Sequence, residues 1–267
     1  CDAVGQPVAI VGGGTGFGGG AEVQPGEIAL SLERMTAMEP VDAVSGSVLA
    51  AAGVPLQRVQ EVADAAGLFF GVDLGARGTA TIGGNVATNA GGNRVLRHGM
   101  FRAQVLGLEA VLADGTIVSS LSGLVKDNAG YDLKQLFIGT EGTLGVVTRV
   151  KLKLMPKPAS QTVAFVALPA LAAALDLIAL VRARLGPQLS AFELLWGDVY
   201  AGAVGLPDAA RAPLPPGAPL YALIEQQGQD AAGDADRFEA ALAEALEAGL
   251  AEDIVLTRSG RDVAAFW

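Results

Sequence analysis

Hydrophobic positions fall into two textures along the chain. Up to about residue 155, short apolar runs alternate with loops dense in glycine and small polar residues. Val8 to Val11 reads as a buried strand, and Ile28, Leu30 and Leu32 alternate as in a second strand. Leu56, Val59, Val62, Ala63 and Ala66 share one helical face, which Gly67 terminates. Gln104 to Leu112 is strand-like, and Asp114-Gly115 is a hairpin turn before Thr116-Ile117-Val118. Lys126 to Asp132 is a polar loop feeding a short helix around Leu133–Phe137, and Gly139 to Thr148 runs into a strand at Val150–Leu154. Pro156-Lys157-Pro158 is a stiff boundary. Beyond it the pattern predicts a strand (162–168), a long helix (169–185), two strands (189–195 and 219–226) and an amphipathic helix (234–248). The loop from Pro207 to Pro219 holds five prolines and reads as exposed. Such an order suits an antiparallel sheet with helices on one face.

The most informative segment follows the first strand. Gly12 to Gly20 places seven glycines in nine positions. Side chains are absent where backbone must approach something closely, and positive φ lets successive N–H groups aim at one point. Such a nest binds anions, most often a phosphate or pyrophosphate. Gly14-x-Gly16-x-x-Gly19 also satisfies the dinucleotide fingerprint, which requires a helix starting at its third glycine. Pro25-Gly26 interrupts the chain before two turns can form, so the loop connects strand to strand. On this loop alone the anion nest, the ordinary Rossmann turn and a ligand-free glycine turn all stay open. A second region, Gly75 to Asn93, combines glycine with small hydroxyl and amide residues, while Ile82, Val86 and Ala87 argue for packing.

The 267 residues suffice for one or two domains. A net charge of −10 disfavours nucleic acid or anionic lipid as partner. The lone Cys1 excludes an internal disulfide framework and fits a reducing compartment, and the lone His98 argues against a histidine-based metal site. Val163 to Leu180 is the most membrane-like stretch, but Pro169 and Asp176 interrupt it, short of the ~20 apolar residues of a span. No signal peptide is visible in Cys1-Asp2-Ala3, and a cytoplasmic location is expected. An apolar Ala265-Phe266-Trp267 end and a start without Met suggest a fragment.

Three segments then become recognisable: Gly12-Gly13-Gly14-Thr15-Gly16, Ile82 to Gly92 (IGGNVATNAGG), and Lys126 to Gly145 (KDNAGYDLKQLFIGTEGTLG). In order and spacing they resemble the FAD-linked oxidases of the vanillyl-alcohol oxidase/p-cresol methylhydroxylase fold. The nearest branch is that of D-2-hydroxyglutarate dehydrogenase, D-lactate dehydrogenase and the glycolate oxidase D-type subunit. The resemblance implies an α+β protein, with a PCMH-type FAD-binding domain over 1–155 lacking its N-terminal part. A partial antiparallel α+β cap would cover 156–267. It implies oxidation of a D-2-hydroxy acid to the 2-oxo acid, hydride passing from C2 to flavin N5 while a base takes the hydroxyl proton. Two alternatives stay open: a same-fold flavoenzyme acting on an alcohol or ether-lipid precursor, and an FAD-binding subunit of a glycolate oxidase-like complex.

Residue by residue, the resemblance assigns Gly12, Gly13, Gly14, Thr15, Gly16, Gly18 and Gly19 to the FAD pyrophosphate. Asp73, Leu74, Gly75 and Gly78, then Thr81, Gly83, Gly84, Asn85, Thr88 and Asn89, would lie along the flavin and ribityl chain. Glu141, Gly142, Val146 and Val147 would border the adenosine half. Asn128 is either a polar cofactor contact or a cap for the helix at Leu133. The first loop lacks the histidine that tethers flavin in covalent relatives, so FAD is expected to bind noncovalently. His98 is read as structural rather than catalytic, and Arg97 and Arg102 as partners of surface carboxylates. Gly71 stands where relatives often carry proline, and Phe17 at a usually aliphatic place. The catalytic groups, the substrate-binding arginine and the ligands of a divalent metal would lie beyond Trp267. The electron acceptor is unassigned, and homodimer and hetero-complex both stay open.

Overall fold

The computed structural model describes residues 1–207 and 211–267. Its elements begin with β1 (Val8–Val11), β2 (Ile28–Ser31), β3 (Ser47–Ala51), α1 (Leu56–Ala65), β4 (Leu68–Phe69), α2 (Ile82–Ala87) and α3 (Val95–His98). They continue with β5 (Val105–Val111), β6 (Ile117–Ser120), α4 (Lys134–Phe137), β7 (Val146–Lys153) and β8 (Met155–Pro156). After these come β9 (Ser160–Leu168), α5 (Leu171–Leu185), β10 (Leu189–Trp196), α6 (Gly197–Val204), β11 (Leu220–Gly228), α7 (Ala231–Glu247), β12 (Asp253–Leu256) and α8 (Gly260–Phe266). The chain divides into a first unit of residues 1–92 and 98–157 and a second of residues 93–97 and 158–267.

The first unit is built on an antiparallel sheet of order β3-β7-β5-β6. Alternate residues of these strands, among them Val48, Ala50, Leu108, Ala110, Val150 and Leu152, enter one core with Val59 of α1 and Ile82 and Val86 of α2. Helix α1 buries Leu56, Val59 and Ala63, as its periodicity predicts, and Gly67 follows it at φ 72°. Strands β1 and β2 form a separate parallel pair, with Ile10 opposite Leu30. The sequence places a strand at 150–154, but β7 starts four residues earlier, because Val146 and Val147 already pair with β5.

The second unit is an antiparallel sheet of order β10-β11-β9-β12. With α5 between β9 and β10 and α7 between β11 and β12, this is a split β-α-β arrangement of the ferredoxin-like kind. Period-two alternation decides its two faces. Val166, Leu168, Ala222 and Ile224 pack under Leu177 and Val181 of α5 and Phe238 and Leu242 of α7. Phe165, Tyr221 and Leu223 face the other way, toward Tyr200 of α6, Leu214 and Phe266 of α8. The sheet therefore carries helices on both faces rather than one. The loop expected to be exposed is pinned in its second half: Tyr200 Oη donates to the Leu214 carbonyl at 2.7 Å and Tyr221 Oη to that of Pro215 at 2.8 Å. Residues 208–210 of that loop lie outside the described residues. Among the described residues no helix is long and apolar enough to cross a membrane.

Candidate functional site

A cavity of about 580 Å³ lies within the first unit, and all three glycine-rich loops line it. Strand β1 delivers the first loop against the second. A Cβ on Gly12 would stand 2.8 Å from Thr81 Oγ1, and one on Gly13 would run into the Thr79 carbonyl. These glycines are required by contact, since any side chain would push the two backbones apart. Gly14 is required by conformation, at φ 65° with open space around it. The second loop closes into α2, capped by Thr81, whose Oγ1 accepts from Gly84 N at 3.4 Å. The third loop hangs from the end of α2. Gly139 N donates to Val86 O at 3.0 Å and Glu141 N to Ala87 O at 2.8 Å. Helix α2 thus holds both neighbours in register.

The cavity is lined by Gly12, Gly13, Gly14, Thr15, Gly16 and Gly18 of the first expected set, and by Leu74, Gly75, Thr81, Gly83, Gly84, Asn85 and Thr88 of the second. Glu141, Gly142, Val146 and Val147 of the third set line it as well. Five expected residues stand elsewhere. Gly19 sits in a left-handed turn at φ 76°. Asp73 is held by Arg77 at 2.8 Å and by Gln60 at 3.2 Å, and Gly78 lies against Gln57. Asn89 accepts from Arg102 N at 2.9 Å through its Oδ1. Asn128 lies on an exposed loop, and the residue preceding α4 is Leu133, so it does not cap that helix. The sequence reading missed Ile10, Leu32, Phe17, Gly20 and Ala87 as lining residues. Ile10 and Leu32 were legible only through the β1–β2 pairing, which turns strand residues into a wall.

No Lys, Arg or His is among the described lining residues, so backbone N–H groups supply the positive potential for an anion. Asn85, nearly fully buried, has a buried Nδ2 with no hydrogen-bond partner. Such an orphan donor is costly unless a ligand satisfies it. Arg102 donates to the backbone carbonyls of Gln135 and Ile138, and Arg97 to that of Gln227, so neither serves the surface carboxylates expected of it. Burial holds the Arg97 guanidinium below its ordinary pKa against the raising influence of Asp234 and Glu225.

His98 lines no part of the cavity. Its ring lies 5.6 Å from that of Phe69, and a Cβ on Gly71 would come within 2.7 Å of its Cγ. The histidine ring occupies the space a side chain at 71 would need. Gly71→Ala is therefore expected to cost about 1–3 kcal/mol by overpacking. A denaturant double-mutant cycle with His98→Ala should recover most of that loss, and additive losses would show the two positions to be uncoupled.

The FAD binding domain family matches residues 1–120, and the C-terminal domain of FAD linked oxidases matches residues 157–267. The chain thus carries, one after the other, matches to the two domain families of the FAD-linked oxidases. It is 43% identical over 256 residues to the mitochondrial D-2-hydroxyglutarate dehydrogenase of Bos taurus, covering 96% of this chain and 47% of the relative. It is 39% identical to the Arabidopsis thaliana enzyme of the same name, over 100% of this chain and 48% of that protein. A Schizosaccharomyces pombe protein, a putative mitochondrial D-lactate dehydrogenase by name, is 37% identical over 96% of this chain and 48% of its own length. The chain thus spans about half the length of the curated relatives it matches. Among solved structures, two of alkyldihydroxyacetonephosphate synthase superpose with TM-scores of 0.76 and 0.75. They cover 94% and 99% of this chain and 49% and 50% of theirs, at 16% identity, which establishes the shared fold.

These names correct the cytoplasmic placement, because the relatives are mitochondrial by name. The inference failed physically, since a cysteine-poor sequence reports a reducing environment and does not distinguish one such compartment from another. FAD fits the residues of this cavity. The cavity offers a side-chain-free cradle at Gly12–Gly14 for a dianionic linker and an unpaired amide donor at Asn85 for a polar ring or chain.

Proposed function

We propose that the whole protein is an FAD-dependent oxidoreductase that converts a D-2-hydroxy acid to its 2-oxo acid. The observation carrying this reading is the convergence of three glycine-rich loops on one cavity, in a chain 39–43% identical to proteins named D-2-hydroxyglutarate dehydrogenase. In this reading Gly12 to Gly16 grip the pyrophosphate through main-chain N–H groups, and Asn85 donates from Nδ2. Thr81 and Thr88 offer hydroxyls along α2, while Ile10, Leu32, Leu74 and Val146 exclude water from the apolar wall. FAD, when bound, supplies the two-electron acceptor for the substrate's C2 hydrogen. The residues that bind substrate and take its hydroxyl proton lie outside this chain's assigned set. Binding is noncovalent, since no histidine lines the cavity and His98 packs on Gly71.

The full-length protein is expected to purify with flavin absorbance that is released on denaturation. D-2-hydroxyglutarate, D-lactate or glycolate should bleach that absorbance anaerobically, and L-enantiomers of the first two should not. Turnover with a soluble dye acceptor should follow the same order. Absence of flavin after reconstitution, or bleaching by none of these acids, would overturn the reading.

A further inference from the structure

The first unit holds a second, smaller cavity of about 300 Å³, which shares no lining residue with the large one. It is walled by the segment that follows β2. Leu32 lines the large cavity, and from Arg34 to Glu39 the chain lines the small one. Backbone bonds pin this wall along its length. Met35 N donates to Leu32 O, Gly53 N to Met35 O, Ala51 N to Ala37 O and Glu39 N to Leu49 O, each at 2.9 Å. A Cβ on Gly53 would run into the Leu32 carbonyl, so the wall has no room to shift inward. The cavity is preformed, as small-molecule sites usually are.

Its chemistry is two-sided. Met35, Met38, Leu49 and Ala51 give it an apolar lining, and thioether side chains fit irregular apolar shapes. Two guanidinium groups, Arg34 and Arg149, and one carboxylate, Glu39, complete the charged part. Arg149 already has acidic neighbours, its Nη2 standing 3.2 Å from Glu39 Oε1 and its Nη1 3.9 Å from Glu109 Oε2. Arg34 has no hydrogen bond or ion pair with any described residue. One cation therefore stands without a counter-charge beside an apolar cavity. A guanidinium is suited to planar, two-point recognition of a carboxylate. A ligand with a second negative charge would meet the Glu39 carboxylate.

We propose that this cavity binds a small monocarboxylic acid with an apolar body, its carboxylate on Arg34 and its body against Met35, Met38 and Leu49. The site goes beyond the oxidoreductase reading and does not rest on it. The full-length protein is titrated by calorimetry with hexanoate, and in parallel with 1-hexanol, acetate and glutarate. Hexanoate should saturate with a Kd on the order of 1 mM. The alcohol lacks the charge, acetate lacks the body and glutarate brings a second charge, so each should bind at least about 10-fold more weakly. Arg34→Gln should raise the hexanoate Kd about 10- to 100-fold, as for loss of a hydrogen bond to a charged group. Its melting temperature should stay at the wild-type value, because Arg34 holds no other side chain in place. Arg34→Lys keeps the charge without the planar fork and should fall between. Leu49→Trp should fill the cavity and remove the binding. Hexanoate affinity within about twofold of wild type in Arg34→Gln would overturn the proposal, as would no saturation of the wild type up to about 10 mM. Glutarate binding as tightly as hexanoate would overturn the single-charge assignment.

Discussion

Gly13→Ala should abolish tight FAD binding while Gly18→Ala, five residues along the same loop, leaves it nearly intact. Both glycines line the cavity. A Cβ on Gly13 would enter the Thr79 carbonyl and approach Ala80 Cα at 3.1 Å, and these are backbone atoms that cannot rotate away. A Cβ on Gly18 meets nothing within 4 Å. Accommodating a methyl group at position 13 must lift the first loop off the second, moving the N–H donors that would converge on the pyrophosphate. A displacement near 1 Å at such a site costs on the order of 100-fold, and the overpacking itself about 1–3 kcal/mol of stability. Fluorescence titration with FAD and thermal melting of the full-length variants measure both. Equal FAD affinity in the two variants would show that the loops do not meet as described.

How much of this was legible in the sequence depends on where each element draws its stability. The α+β class, strands β5, β9, β10 and β11 and helices α1, α5 and α7 follow from periodicity, because one periodic face of each is buried, even though Leu175 of α5 and Leu194 of β10 stand exposed. Helix α2 was not legible. Ile-Gly-Gly-Asn-Val-Ala is poor helix-forming sequence. Its order comes from the Thr81 cap and from close packing of Gly83 on Ala52, where a Cβ would stand at 2.6 Å. Strand β3, with Ala50 and Ala51, carries little β-branched signal and is a strand because β7 pairs with it. Helices α6 and α8 and strand β12 also escaped, being short elements held by the Tyr200–Phe165–Tyr221 cluster and by pairing with β9. In the site, glycine density singled out the first loop, whose residues 12–16 and 18 line the cavity. It overreached at Asp73 and Asn89, whose polar side chains serve Arg77 and Arg102 N, because sequence cannot separate an amide facing a ligand from one pegging a turn.

Removing Arg94 is expected to destabilise the second unit more than any other single truncation within it. Glu225 is fully buried on β11 and accepts from Arg94 Nε at 2.7 Å and Nη2 at 3.0 Å, Ser190 Oγ at 2.6 Å, Gln161 Nε2 at 2.7 Å and Trp267 Nε1 at 3.0 Å. Burial alone would raise the carboxyl's pKa. The Arg94 hydrogen bonds and charge, with those from Ser190 and Gln161, more than offset it and hold it below the ordinary 4.5. Arg94→Ala leaves a buried carboxylate short of its counter-charge, a loss of about 3–5 kcal/mol by the usual scale for breaking a buried pair. Both tryptophans, Trp196 and Trp267, lie in this unit, so indole fluorescence in denaturant reports the loss directly. The pH dependence has a defined sign. A carboxyl depressed by folding contributes stability in full above its unfolded value, near 4.5, and loses that contribution as pH falls through its lower folded value. The gap between wild type and Arg94→Ala should therefore be widest at neutral pH and shrink as the pH falls, first through the raised value of the carboxyl left without its counter-charge in the variant and then through the lowered value of wild type. Replacing both partners with apolar residues should cost less than removing either one, because no uncompensated charge stays buried. A gap that stays constant from pH 7 down to 3, or a double variant losing the sum of the two singles, would mean that the ion pair is not what holds the segment at 93–97 to β11.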